Sequence, residues 1–271
     1  CKRHYFDGES LVLHNPNIEL SAAENFLYMI RPDKQFTREE AETLDLSMIL
    51  QAEHGGGNNS AFTVRVLSST GTDTYSAISA SIGSLKGPKH GGANDKMLSQ
   101  MEEIKANVHN WEDETEVMGY LKKILRKEAG DGKGLIYGVG HAVYTISDPR
   151  AKILKERAAR LSEITGFEKE FALYDMVERL APKAFCEEKG IERDMCINVD
   201  FYSGFVYQML KLPQELYTPI FAMSRIVGWS AHRIEEVMTN SKIIRPAYKS
   251  TVKRIGYTPI GERERINLDE I

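Results

Sequence analysis

The sequence predicts an all-α (mainly α) fold, and three observations carry that prediction. Apolar residues after residue 20 recur at helical spacing, as in Phe26, Leu27 and Ile30 or Met97, Leu98, Met101 and Ile104. The stretches so marked are bounded by helix start and stop signals. The one glycine-rich string that could suggest a nucleotide-binding sheet, Gly138-Val139-Gly140, lacks both the full GxGxxG pattern and the surrounding βαβ alternation.

The first residues read differently. Tyr5-Phe6, Asp7-Gly8 and Leu11-Val12-Leu13 form the pattern of a hairpin, entered in its middle by a chain that starts with Cys1. That beginning is the mark of a piece of something longer. Two capping boxes follow, Ser21-Ala22-Ala23-Glu24 and Thr37-Arg38-Glu39-Glu40. In each the N-cap hydroxyl and the glutamate three residues on satisfy one another's backbone amides, so each opens a helix. The second helix carries Leu44, Ser47 to Ile49 and Leu50 and delivers His54 at its end, where Gly55 to Gly57 stop it. A new helix restarts near Ser60.

Residues 73–85 are rich in small side chains and suit a helix packed tightly between others, stopping at Gly87-Pro88. Amphipathic helices then carry Met97 to Ile104 and Val117, Leu121, Ile124 and Leu125. Gly130 to Gly134 break the pattern. Asp148-Pro149-Arg150 supplies an N-cap and a proline at N1 for a helix running to Gly166. Helices over about Phe167 to Leu180, Asp200 to Leu210 and Thr218 to Met238 follow, and the stretch from Ile243 onward is polar and basic with little helical pattern.

With 271 residues, 42% hydrophobic and 27% charged, the chain is long enough for one large domain or two smaller ones and reads as a soluble globular protein. It has no membrane-length apolar run and no signal-peptide core at its start, so a cytoplasmic location is expected. Cys1, Cys186 and Cys196 have neither disulfide-framework nor zinc spacing and read as reduced thiols. A net charge of −4 gives no support to a nucleic-acid role, and the expected ligand is small.

The chemistry concentrates in repeated histidine settings: His54-Gly55-Gly56-Gly57-Asn58, His90-Gly91-Gly92-Ala93-Asn94 and Gly138-Val139-Gly140-His141. Glycine beside an imidazole leaves room for a ligand, which suits a site better than a core. Taken singly, each histidine also fits a structural role at a helix end. No partner histidine or carboxylate pair stands at ligand spacing, so metal is discounted. Arg150, at a helix N-terminus, fits either a carboxylate grip or an ion pair. Asp200, between Val199 and Phe201, fits either a general base of raised proton affinity or an N-cap. Arg225 within an apolar helix needs an anionic partner, from the protein or from a ligand, and Arg245 precedes Pro246 in a loop.

Read in order, His54, His90, His141, Arg150, Asp200, Arg225 and Arg245 resemble the citrate synthase family. The carrying strings are Glu53-His54-Gly55-Gly56-Gly57-Asn58, Gly87-Pro88-Lys89-His90-Gly91-Gly92-Ala93-Asn94, Gly138-Val139-Gly140-His141 with Asp148-Pro149-Arg150, Asn198-Val199-Asp200-Phe201-Tyr202-Ser203-Gly204, and Ser224-Arg225. They run from about residue 20 to 250.

The resemblance implies a two-domain helical homodimer, or a higher homo-oligomer, closing over oxaloacetate and acetyl-CoA. Its division would give residues 1–94 and 211–271 to a large domain and 95–210 to a small mobile one. His90, His141 and Asp200 would be catalytic: His90 on the thioester carbonyl, Asp200 removing the methyl proton, His141 on the keto oxygen. His54, Asn58, Arg150, Arg225 and, from the other subunit, Arg245 would hold oxaloacetate. Leu135, Ile136, Tyr137, Gly138, Val139 and Gly140 would line the coenzyme A site through backbone groups. No prosthetic group or metal is implied, and neither nucleic acid nor membrane is an expected partner.

The chain departs from the family's Pro-Gly-x-Gly-His loop and following arginine, having Ile136-Tyr137-Gly138-Val139-Gly140 and Tyr144 there, so coenzyme A phosphate contacts do not carry over. The family's chains also have a further helical region before the equivalent of Cys1, so a truncated large domain is expected. Two other readings compete: a 2-methylcitrate synthase using propionyl-CoA, which a methylene's worth of pocket separates, and a catalytically silent fragment or assembly module.

Overall fold

The computed structural model describes residues 11–140, 146–190, 195–239, 242–247, 249, 251 and 256–263. Ten α-helices stand among them: α1 Ala22–Ile30, α2 Arg38–Gln51, α3 Asn59–Ser68, α4 Thr74–Leu85, α5 Ala93–Asn107, α6 Glu114–Leu125, α7 Pro149–Thr165, α8 Glu168–Lys189, α9 Asp200–Met209 and α10 Tyr217–Met238. Among the described residues the only β pairing is one isolated antiparallel bridge, Val139 with Ile197. The all-α expectation is met.

Local chemistry sets the helix starts as read. Both capping boxes form, Ser21 with Glu24 and Thr37 with Glu40. Asp148 caps α7 ahead of Pro149, and Gly166 ends that helix in the left-handed region at φ 78°. Two expectations about local structure need correction. Helix α8 runs through Pro182 to Lys189 rather than stopping at Leu180, with Ala181 and Ala184 buried on either side of the proline; burial of that face outweighs the lost amide. Leu11 to Leu13 form no strand and are exposed, and the rest of the expected hairpin lies outside the described residues.

Helix α9 is the centre of the packing. Eight of its ten residues are buried, so it is apolar all round, as a helix enclosed by others must be. It packs on α2, α5 and α7, while α10 packs on α2, α3 and α4. The main core gathers α1, α2 and α5 to α9, including Leu27, Leu44, Met101, Leu121, Leu161, Tyr174 and Phe205. A smaller cluster joins α3, α4 and α10 through Ala61, Val64, Ala77, Leu85 and Trp229. Helix α4 is not enclosed within this chain as its small residues led us to expect: Ala77, Ser81 and Leu85 are buried, but Tyr75, Ser76, Ser79 and Gly83 lie exposed on its other side.

Candidate active site

A cavity of about 130 Å³ is lined by His54, Asn58, His90, Gly91, Asn94, Arg150, Asn198, Val199, Asp200, Tyr217 and Phe221. Those residues lie at or next to the first turns of α3, α5, α7, α9 and α10. The N-terminal ends of five helices therefore border one cavity; α3 and α5 have no side-chain hydrogen bond capping them, while Asn198 Oδ1 meets the first amide of α9. Unmet amides and the positive ends of helix dipoles favour an anion there.

His54 follows α2 by two residues beyond its C-cap Ala52. Gly55 at φ 85° turns the chain, and the Asn58 amide closes that turn on the Gly55 carbonyl at 3.1 Å. Asn58 holds the N-cap position of α3, but its Oδ1 accepts from the Ser60 hydroxyl at 2.9 Å instead of capping. Ser60 also accepts from Trp229 Nε1 at 3.1 Å and meets His90 Nε2 at 3.1 Å. Ser60 thus ties His90 to α3 and α10. Burial, with the Arg225 charge and then His54 adding to it, lowers the proton affinity of His90, and burial followed by Arg150 and Arg225 does the same for His54. Both imidazoles are held toward the neutral form, which can donate one hydrogen bond and accept another.

Asp200 is the first residue of α9, partly buried, its amide donating to Asn198 Oδ1 at 3.0 Å. Burial pushes its carboxyl up to about 6 against the pull of Arg150 and Arg225. Of the two readings open in the sequence the N-cap does not hold, since Asp200 is inside the helix rather than its cap, and the residue lines the cavity.

Arg150 forms the ion pair of one of its readings and also reaches the cavity. It lines the cavity and is forked onto buried Asp148, Nε at 3.0 Å and Nη2 at 2.8 Å. Arg225 is fully buried over the Phe221 ring, 4.7 Å from its centroid, with Nε donating to the Gln51 carbonyl at 2.6 Å. Among the described residues its Nη1 and Nη2 have no hydrogen-bond partner. Burial lowers its proton affinity to about 10. A buried guanidinium with two orphaned nitrogens is costly unless an anion completes it.

The 135–140 loop is held by backbone. Gln100 receives the Tyr137 amide at 2.9 Å and donates to the Leu135 carbonyl at 3.0 Å. The Gly140 amide bonds Cys196 and the Asn198 amide bonds Gly138, joining this loop to the one that presents Asp200. Gly138 is at φ 74° with Phe201 and Met97 so close that a Cβ would stand 2.9 Å from the Phe201 ring.

The structure therefore gathers His54, Asn58, His90, Arg150 and Asp200 at one cavity, with Arg225 behind it. Arg245 is exposed in the irregular segment 242–247, where the Ile244 amide bonds Ser69 at the far end of α3, and it does not line this cavity. His141 and Tyr144 lie outside the described residues. Sequence reasoning gave no role to Ser60, Asn94, Asn198, Tyr217, Phe221 or Trp229; Asn94 and Asn198 stand inside the quoted strings, and Ser60 is two residues past Asn58, which was the available signal. Neither Cys186 nor Cys196 is in a disulfide, and no described helix is long and apolar enough to cross a membrane.

Comparison with known proteins bears on the family. The family model for the citrate synthase C-terminal domain matches residues 1–247. The citrate synthase of Synechocystis is 39% identical over 249 residues, which are 92% of this chain and 58% of that protein. Citrate synthase 2 of Bacillus subtilis is 40% identical, over 92% of this chain and 61% of its own length. The chain thus spans about three fifths of the relatives it matches. Among solved structures, the citrate synthase of Thermoplasma acidophilum in ternary complex with carboxymethyl coenzyme A and oxaloacetate superposes with a TM-score of 0.75 at 32% identity, covering 96% of this chain and 64% of that one. The chain belongs to the citrate synthase family.

Proposed function

We propose that this chain supplies the catalytic part of a citrate synthase, an acyltransferase that condenses acetyl-CoA with oxaloacetate and water to give citrate and coenzyme A. The observation that carries the reading is the orphaned, fully buried guanidinium of Arg225 beside a cavity lined by His54, Arg150 and the high-affinity carboxyl of Asp200. The two guanidinium groups and the uncapped N-termini of α3 and α5 call for an anionic ligand, and the carboxyl supplies a base near neutral pH.

In this reading His54, Asn58, Arg150 and Arg225 hold the oxaloacetate carboxylates, the guanidinium forks matching them two hydrogen bonds at a time. Asp200 takes a proton from the acetyl methyl while His90 donates its one hydrogen from Nδ1 to the thioester oxygen, which requires the Ser60 hydroxyl to turn from Asn58 to His90 Nε2, so the enolate charge is met as it forms. The enol carbon attacks the keto carbon, whose oxygen takes its proton from His141. Water then hydrolyses the citryl thioester and releases the thiol. The 135–140 loop offers coenzyme A its uncommitted backbone groups, and no prosthetic group or metal takes part.

The remaining expectations belong to the same proposal. The cavity draws on 1–94, 95–210 and 211–271 alike, which suits a small domain closing on a large one. Met223, Ile226, Val227, Ile234 and Val237 of α10, with Phe62 of α3 and Tyr75 of α4, leave an apolar face exposed, which suits a homodimer that also brings Arg245 to its partner's site. The setting is the cytoplasm and the tricarboxylic acid cycle.

The test is thiol release from acetyl-CoA by the full-length protein carrying this sequence, with and without oxaloacetate. Release that needs oxaloacetate and disappears in Asp200→Ala supports the reading. Release independent of oxaloacetate, or none, overturns it, and a higher kcat/KM with propionyl-CoA would reassign the enzyme as a 2-methylcitrate synthase.

A further inference from the structure

Three consecutive residues at the end of α2 and just past it, Gln51 to Glu53, are fastened to one face of α10. The Gln51 carbonyl accepts from Arg225 Nε at 2.6 Å, the Ala52 carbonyl accepts from the Gly228 amide at 3.1 Å, and Glu53 Oε1 meets His232 Nε2 at 3.0 Å. Positions 225, 228 and 232 are separated by three and four residues, so they lie in a row along α10. Gly228 permits the approach, because a Cβ there would run into Ala52 O and Glu53 Oε2.

The last of the three fasteners reaches furthest into the site. The same Glu53 oxygen that meets His232 also accepts the His54 amide at 2.8 Å and the Gly55 amide. One carboxylate therefore fixes the backbone of His54, the turn that follows it, and their distance from the helix that carries Arg225. Although burial works against it, the hydrogen bonds from His232, Gly55 and His54 hold the Glu53 carboxyl below its ordinary range. His232 also has Glu235 3.8 Å from its Nδ1.

We propose that Glu53 and His232 are positioning residues for recognition of the keto dicarboxylate: they set the spacing between His54 and Arg225, the two groups on either side of the fastened strap. This deepens the reading of the site given above and rests on it. Neither side chain lines the cavity, so both act through His54. A dicarboxylate is gripped at two points, and its binding depends on the separation of those points far more than does binding of a thioester held elsewhere.

Steady-state kinetics of the full-length enzyme separate this from a general structural role. Glu53→Gln keeps the side chain's shape but not its charge, and His232→Ala removes the donor. Each is expected to raise the KM for oxaloacetate about tenfold, with kcat within about threefold and the KM for acetyl-CoA unchanged. The two act through one hydrogen bond, so the double variant should be no worse than the more damaged single. His232→Gln, which retains an N–H donor, should recover most of the loss. An oxaloacetate KM that stays at the parent value in both singles overturns the proposal, and so does a parallel loss of kcat and both KM values, or full additivity in the double. Absence of oxaloacetate-dependent thiol release in the parent enzyme overturns the functional reading first, and this proposal with it.

Discussion

Two regions border the cavity and are built by opposite means. The strap from Gln51 to Gly55 is anchored on α10, with His54 at the cavity wall and Arg225 behind it keeping two nitrogens that have no hydrogen-bond partner among the described residues. The loop from Leu135 to Gly140 spends its backbone on Gln100, Cys196 and Asn198 and owes its path to glycines at positive φ, Gly138 and Gly140. On the proposed function the first region would recognise its ligand by charge and the second by shape. A charge site fails when one side chain is removed, whereas a shape site fails when one is added. Asp200 stands where the two meet, because Asn198 bonds both Gly138 and the Asp200 amide.

The largest expected effect is at that junction. Asp200→Ala should lower kcat by about 10³- to 10⁴-fold with little change in oxaloacetate binding, measured by steady-state kinetics and by calorimetric titration. Breaking the charge region comes next: Arg225→Met should raise the oxaloacetate KM by about 10²-fold, since two charge-assisted hydrogen bonds are lost, while acetyl-CoA KM holds. Gly138→Ala should break the shape region in the reverse sense. It places a methyl against Phe201 at an unfavourable φ, costing about 2 kcal/mol of stability in denaturant melts and raising the acetyl-CoA KM while sparing that of oxaloacetate.

A pH series sharpens the comparison. Because the carboxylate is the active form of Asp200 and burial pushes its pKa up to about 6, kcat/KM should climb through pH 6 from the acid side. Stability should respond with the other sign. The folded state holds this proton more tightly than the unfolded chain, so the group's contribution is full below pH 3.8 and is lost as pH rises through about 6. Asp200→Asn should abolish both dependences. The smallest effect lies far from either region: Ser21→Ala removes one half of the α1 capping box and should cost about 1 kcal/mol with no change in kinetics.

What could be read from the sequence was local. Capping boxes, the Asp148-Pro149 start and the left-handed Gly166 are decided within four residues of one another, and each helix start so marked is found. The grouping of His54, His90, Arg150 and Asp200 came from glycine settings and the family's order. The Gln51 to Glu53 strap was not legible, because its partners lie about 175 residues further along the chain and helical periodicity says nothing of which backbone carbonyl they meet. Helix α8 outran Pro182 because tertiary burial decides what a local rule would forbid. The exposed side of α4 was misread because small residues mark close packing without naming the neighbour.

The unmet nitrogens of Arg225 carry a consequence for the protein's lifetime. Without a ligand two desolvated nitrogens of this cation lack hydrogen bonds, so the ligand-free molecule is less stable than its packing would otherwise make it, and an occupied site recovers that loss. Ligand present at a hundred times its Kd adds about 2.7 kcal/mol to the folded state, enough to make locally opened forms, the ones proteases cut, about a hundredfold rarer. Supply of a dicarboxylate would thereby govern how long each molecule survives as well as how fast it turns over.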